Sequence, residues 1–412
     1  MACLPVELLD EIFSLAIAQG AISPNEASYI CRRWRTFQKL LFKSVKLDPF
    51  DENILDLDEH SHLTLYIEEL RVFPRLGSST RSNSYDISPS FANFLRNLHN
   101  LSSMVFCDSR IQWADVSCKN IDAFLTIFQR DAFCSLEVSV HKPLPSWMLL
   151  QGLHIASKLT IHHIGRIIPP PEFEKPVPNF QSSLTHLVLL GNAVQRTAEF
   201  CLQQRNLAKI LLRKLTHLVL EYAETYGIFA PPMAPFVEKL LIFSGSQLEA
   251  LEIRVSSPYA IHHIPESALV HLKSLQRLTI HFTGYSANDD TLGSATEYLK
   301  SFFHGLPSRS HLASFSLRVD ERVQIYPNTG RCMPKCQQFL QHICEQLSCT
   351  VKWPRLNSCD ILVEVHDDNF LETTSRRKTI NMDTRKLKID SLLRVNASNA
   401  EQLRSSVIPL MG

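Results

Sequence analysis

The chain has 412 residues, enough for roughly two or three ordinary domains or for one domain joined to an elongated array. Apolar residues make up 45% and charged residues 20%, the balance of a folded chain, and 42 Lys and Arg against 41 Asp and Glu leave a formal charge of +1. So small a net charge supplies no whole-molecule field for phosphate backbones or acidic lipid, which argues against nucleic-acid and membrane partners.

No apolar run reaches the about 18 residues of a spanning helix. Glu7, Asp10 and Glu11 interrupt the stretch that a secretory signal would need uncharged. The 11 cysteines are scattered without a framework, as in a reducing compartment where they serve as small apolar groups. The expectation is an intracellular protein, cytoplasmic or nuclear.

The first predicted element is a helix over residues 5–18. Pro5 suits the first turn, Glu7 and Asp10 favour the positive end of the helix dipole, and Leu8, Leu9, Ile12, Phe13, Leu15, Ala16 and Ile17 cover two faces. Ser23 and Glu26 have capping-box spacing around Pro24, which predicts a second helix toward Arg33. Trp34, Phe37, Leu40, Leu41, Phe42 and Val45 read as a third short helix. A unit of about 50 residues buries too little of its surface to hide two apolar faces, so a contiguous patch remains for a partner or for the rest of the chain.

Leu4, Pro5 and Glu7, then the apolar helix, then Cys31, Arg32, Arg33 and Trp34, then "LLFKSVKL", occur in the order found in F-box motifs. This segment resembles the F-box family, with an ending similar to its fungal members. The resemblance implies a three-helix F-box over residues 1–50 that docks on the Skp-type adaptor of a cullin-RING ubiquitin ligase of the SCF type. Carried over to this chain, the adaptor-binding residues are Leu4, Pro5, Leu8, Leu9, Ile12, Phe13, Cys31 and Trp34.

From residue 67 onward a hexamer of the form LxxLxL, with apolar substitutes, recurs at 67, 101, 133, 156, 184, 215, 248, 275, 312 and 356, and "LTHLVL" appears identically at 184 and 215. The intervals run from 23 to 44 residues, in the range of solenoid repeats. Each hexamer predicts a strand. Helical patterns lie between them: Ile121, Phe124, Leu125 and Phe128 share one face of "NIDAFLTIFQR", and Phe339, Leu340, Ile343 and Leu347 share one face of "QQFLQHICEQL". Strand and helix in alternation predict an α/β solenoid with a curved parallel sheet and outer helices. This pattern resembles the leucine-rich repeat family, although the usual ninth-position asparagine occurs once, at Asn192, so the array is expected to be irregular. The array takes residues 51–366, and 367–412 form a C-terminal extension with a last strand and a tail. Turn-rich residues 74–90 and proline-rich residues 167–180 read as surface loops.

Only 12 glycines are present, and no phosphate-binding loop, nucleophile elbow or HExxH occurs. "DEHSH", with Asp58, His60 and His62, and the two "IHHI" segments read as a solvated loop and strand edges. Cys332, Cys336, His342, Cys344 and Cys349 crowd together, but without the knuckle spacing of zinc sites, and read as buried apolar positions. No metal, cofactor or catalytic residue is expected.

The function expected from these features is that of a non-catalytic substrate receptor: the F-box holds the adaptor and the array holds a protein target. The alternative is an interaction scaffold whose F-box-like segment only caps the solenoid. Outward positions alternate along a strand, which assigns target binding to His186, Leu190, His217, Glu221, Arg254, Arg277, His281 and Arg318. Arg254, Arg277, His281 and Arg318 are expected to cluster as cations for an acidic or phosphorylated target segment, beside a more apolar patch at His186, Val188, Leu190, His217, Val219 and Glu221.

Overall fold

The computed structural model describes residues 43–49, 64–73, 89–107, 118–140, 143–168, 182–203, 205–222, 234–255, 266–283, 291–307, 310–323, 352–367 and 376–382, with a few isolated positions between them. It divides into two compact units, Met1–Pro143 and Leu144–Gly412.

In the first unit four parallel strands pair in chain order: β1 (Ser44–Leu47), β2 (Glu69–Val72), β3 (Ser103–Cys107) and β4 (Ser135–Val140). Helix α1 (Pro89–Asn97) lies between β2 and β3 in sequence, and α2 (Cys118–Phe128) between β3 and β4. The core is aromatic. Phe124 meets Phe106 at 5.4 Å and Phe91 at 6.1 Å between ring centroids, both edge to face, the geometry favoured by the ring quadrupoles. The guanidinium of Arg130 donates to the carbonyls of Arg96 and Leu98, around the C-terminal end of α1, where helix carbonyls lack intrahelical partners.

The second unit holds a further parallel series, β6 (Lys158–Ile164), β8 (His186–Leu190), β9 (His217–Tyr222), β10 (Ala250–Val255), β11 (Arg277–Thr283), β12 (Ser314–Val323) and β13 (Ser358–Asp367). An antiparallel strand β14 (Arg376–Met382) covers the last edge, and the two-residue strands β5 (Leu144–Pro145) and β7 (Ile167–Ile168) pair apart. Helices α3 (Ser146–Ile155), α4 (Ala193–Gln203), α5 (Arg205–Leu211), α6 (Ala234–Ser244), α7 (Glu266–Leu269) and α8 (Thr291–Gly305) fill the intervals. Among the described side chains of α8, Ala295, Tyr298, Leu299, Phe302 and Phe303 are buried, a spacing that places one face of a helix against the sheet.

Every hexamer read from the sequence lies on a strand. Its fourth and sixth residues point into the core: Leu187 and Leu189, Leu218 and Leu220, Leu251 and Ile253, and Leu278 and Ile280 are all buried. The first residue, as at Leu184, Leu215, Leu248, Leu275 and Leu312, is buried just before the strand begins. Each large apolar side chain so buried is worth about 1.5–3 kcal/mol of transfer free energy, so a repeat gains stability only when its neighbour covers it.

Several expectations change. Val45 is on strand β1 rather than on a third helix, so the sheet begins inside residues 1–50. The inward face of α2 consists of Asn120, Ala123, Phe124, Ile127 and Phe128, while Ile121 and Leu125 are only half-buried. The helix must turn its narrower face inward because Asn120 donates to the carbonyl of Ile87. Pro89 and Ser90 start α1, and Ile167 and Ile168 form β7, instead of belonging to loops. Cys201 and Cys359 are buried, but Cys134 is exposed and its thiol donates to the carbonyl of Ser102. Most of the second predicted helix, "QQFLQHICEQL", lies outside the described residues, as do Cys332, Cys336, Cys344 and Cys349; Ile343 and Leu347 are buried.

Gly191, directly after β8, has φ 61, and a Cβ there would collide with the ring of His163. Gly191→Ala is expected to lower stability by about 1–2 kcal/mol in denaturant unfolding, from the left-handed backbone alone. Most of that loss should persist in a His163→Ala background, where the collision is gone.

Candidate functional site

The face of the second-unit sheet opposite the core carries the third, fifth and seventh residues of the hexamer pattern, all half-buried or exposed where described. Strand register converts these positions into rows. The third-position row is Lys158, His186, His217, Ala250, Arg277, Ser314 and Ser358. The fifth runs from Thr160 through Val188, Val219, Glu252, Thr279 and Ser316 to Asp360. The seventh contains Leu190, Glu221, Arg254, His281 and Arg318 in register.

The eight target-face residues expected from the sequence therefore lie on one sheet; of the four cations expected to cluster, Arg254, His281 and Arg318 share the seventh-position row and Arg277 lies in the third. Arg254 Nε donates to Glu252 Oε1 at 2.6 Å, and Nη1 lies 3.4 Å from Glu221 Oε2. Burial works against its charge, but the hydrogen bonds and fields of Glu252 and Glu221 outweigh it and hold the guanidinium above its ordinary pKa. Arg254 is thus neutralised in place. Arg277 belongs to a different row and turns the other way, where Nη2 donates to His217 Nε2 across the short side chain of Ala250.

The imidazoles of His186 and His217 stack, with centroids 4.1 Å apart and planes at 14°. Hydrogen-bond counting fixes their tautomers. Thr185 donates its hydroxyl proton to the carbonyl of Ser157 at 3.0 Å, and Thr216 donates its own to the carbonyl of Thr185 at 3.2 Å. Each hydroxyl can then only accept from the adjacent ring, so Nδ1–H of His186 donates to Thr185 at 2.9 Å and Nδ1–H of His217 to Thr216 at 2.8 Å. The Arg277 donor requires a lone pair on Nε2 of His217, so that ring is neutral, and burial beside Lys158 and Arg277 favours the same neutral form at His186. Burial lowers the pKa of both, with Lys158 and Arg277 adding to the effect at His186; at His217 His186 and Arg277 add to it against a smaller pull from Glu249.

Sequence reasoning missed Lys158, Thr185 and Thr216. The signal was available, since Lys158 holds the third position of "ASKLTI" as His186 does in "LTHLVL". Of the residues expected to bind an adaptor, Leu4, Pro5, Leu8, Leu9, Phe13, Cys31 and Trp34 lie outside the described residues. Ile12 is helical and 50% exposed, and Leu15, one turn on, is 53% exposed. The amide of Ala21 donates to the carbonyl of Ala16 at 2.8 Å past Gly20 at φ 69, the closure of a helix C-terminus.

Burial pushes the Cys201 thiol up to about 12, and burial with the Glu137 carboxylate raises Cys107. Neither thiol is set up as a nucleophile. Among the described residues no three His, Cys, Asp or Glu side chains are grouped as metal ligands would be. No helix among them is long and apolar enough to cross a membrane.

Strands and helices in alternation, with an apolar hexamer repeating along the parallel series, define the class: an α/β protein built as a parallel, leucine-rich-repeat-like array. No family model matches the chain, and no curated protein does. Among solved structures it is similar to the leucine-rich repeat-containing protein LegL7 from Legionella pneumophila, at 15% identity and a TM-score of 0.35, over 79% of this chain and 91% of that one.

The neutral histidine pair sets a direction for stability against pH. Both folded-state pKa values lie below the ordinary 6.5, so on acidification the unfolded chain takes up protons before the folded one. The stabilisation is whole above about pH 6.5 and is lost as pH falls below it. The denaturant midpoint should drop between about pH 7.5 and pH 5.5, and less steeply for the His186→Gln, His217→Gln double variant.

Proposed function

We propose that this chain is a non-catalytic substrate-recognition subunit of an SCF-type ubiquitin ligase, its N-terminal segment docking on a Skp-type adaptor and its repeat array holding a protein target. Catalysis on this reading is placement. The array keeps a target lysine at high local concentration beside a ubiquitin-loaded enzyme carried by other subunits, and no residue of this chain makes or breaks a bond.

The observation that supports the reading is the pair Ile12 and Leu15. They are large apolar residues three apart, each helical and half-exposed, inside the segment that resembles an F-box. Apolar side chains at that spacing form a stripe that a partner helix or groove can cover. The array adds a second support: its open face carries polar and charged residues in fixed rows, a surface for recognition rather than a core.

The test is co-purification of the full chain with a Skp-type adaptor. Ile12→Asp with Leu15→Asp should weaken adaptor binding by at least about a hundredfold, since each side chain brings about 1.5–3 kcal/mol of burial, and should leave the unfolding midpoint of the array unchanged. A chain that binds no adaptor, with or without the substitutions, supports the scaffold reading, in which the segment only caps the array.

A further inference from the structure

We propose that the row Lys158, His186, His217 and Arg277 is a subsite for an acidic segment of a protein partner, one with two anionic side chains three or four residues apart. The proposal deepens the receptor reading by naming what the open face takes.

Three observations converge on this row. First, its cations are unmatched: among the described residues Lys158 and Arg277 make no ion pair, whereas Arg254 is closed by Glu252 and Glu221 and, in the first unit, Arg71 by Glu69 at 2.6 Å. A cationic site that is already neutralised has no free donors for a ligand, and this row has kept them. Second, Ala250 leaves a gap in the row between His217 and Arg277. The guanidinium lies across that gap with one nitrogen on His217, and its other donors remain for a carboxylate or phosphate. Third, the histidines are stacked and locked by threonine hydroxyls, so they form a rigid neutral platform between two charges.

The geometry sets the spacing of the ligand. Adjacent strands lie about 4.8 Å apart, so an anion between Lys158 and His186 and another between His217 and Arg277 would sit about 12 Å from each other. An extended chain advances about 3.3 Å per residue, which places the two anionic side chains three or four residues apart. Nucleic acid fits less well, because the neighbouring rows present Glu221, Glu252 and Asp360, which a continuous polyanion would have to pass.

Proton linkage follows from the same contacts. The groups facing the imidazoles are Lys158 from β6, Thr185 before β8, Thr216 before β9, Glu249 before β10 and Arg277 from β11. An anion brought beside Nε2 of His186 favours its protonation, so binding takes up a proton and tightens as pH falls.

The experiment is selection of displayed random dodecapeptides on the immobilised full chain, followed by affinity measurement with synthetic copies. The expected consensus carries two Asp or Glu residues at the stated spacing. Lys158→Gln with Arg277→Gln should weaken the selected peptide by at least about tenfold, Arg254→Gln by much less, and binding should strengthen from about pH 7.5 to about pH 5.5 and weaken with salt. Phosphoserine in place of the acidic residues separates the two sources of anion: either one binding best, with the same dependence on Lys158 and Arg277, supports the subsite. A neutral or basic consensus, no enrichment, equal binding by the double variant, or tighter binding of single-stranded DNA than of the peptide would overturn it. Adaptor binding is read separately through Ile12 and Leu15, so failure of the receptor reading leaves these outcomes interpretable.

Discussion

The structure depends on one backbone contact repeated at the start of the strands. The carbonyl of the second hexamer residue accepts two amides, those of the second and third residues of the next repeat. Among the described residues this occurs at Lys43, Glu68, Ser102, Ser157, Thr185, Thr216, Glu249, Gln276 and Ala313, with distances of 2.8–3.2 Å. At Ser102, Thr185 and Thr216 a hydroxyl from the same second position donates to the previous carbonyl as well. These contacts permit a single register. Because a slip of one residue would send the buried leucines to the open face, polar staircase and apolar core select the same pairing.

A fixed register makes side-chain chemistry on the open face a matter of alignment. Arg254 and Arg277 occupy successive strands, yet one is neutralised and the other is not, because they hold different positions in the repeat, the seventh and the third. The seventh-position row places Glu221 beside Arg254, and Glu252 reaches it along its own strand. In the third-position row Arg277 has alanine next to it and histidine beyond. The exposed ion pairs around Arg254 contribute little to stability, at most about 1 kcal/mol each, and their main effect is to remove one cation from the surface open to a ligand.

The array was legible in the sequence because burial on one face enforces period two within each strand, and stacking enforces the longer period between strands. Even the first strand was legible: "FKSVKL" at 42 fits the hexamer, but Phe42 and Val45 also continue the apolar run from Trp34 that reads as a third short helix. The charge state of the open face was less legible. Treating the repeats at 184 and 215 separately from those at 248, 275 and 312 hid the contacts that cross between them, Glu221 to Arg254 and His217 to Arg277. The face of α2 was misread because an apolar count ignores Asn120, whose amide needs a buried acceptor and takes the inward position from Ile121. Of the expected adaptor site, Ile12 alone is among the described residues.

Repeat intervals of 23 to 44 residues would be hard to reconcile with a regular array if the whole repeat had to match. Only the strand and its entry need to match, since the staircase contacts lie there. The differences fall in the returns, which range from the four-residue α7 to the fifteen-residue α8. Asn192 shows what such a return requires when it leaves the sheet sharply. Its side-chain carbonyl accepts from the amide of Ile164 at 3.1 Å and its amide donates to the Ile164 carbonyl at 2.8 Å, pairing both backbone groups at the end of β6. Gly191 provides the left-handed turn beside it, closed by its amide on the Glu221 carbonyl at 2.7 Å. Here a side chain substitutes for a strand residue, which is the physical role of asparagine at this position, and it explains why a degenerate array can retain it at one turn and build the others from helices that begin elsewhere.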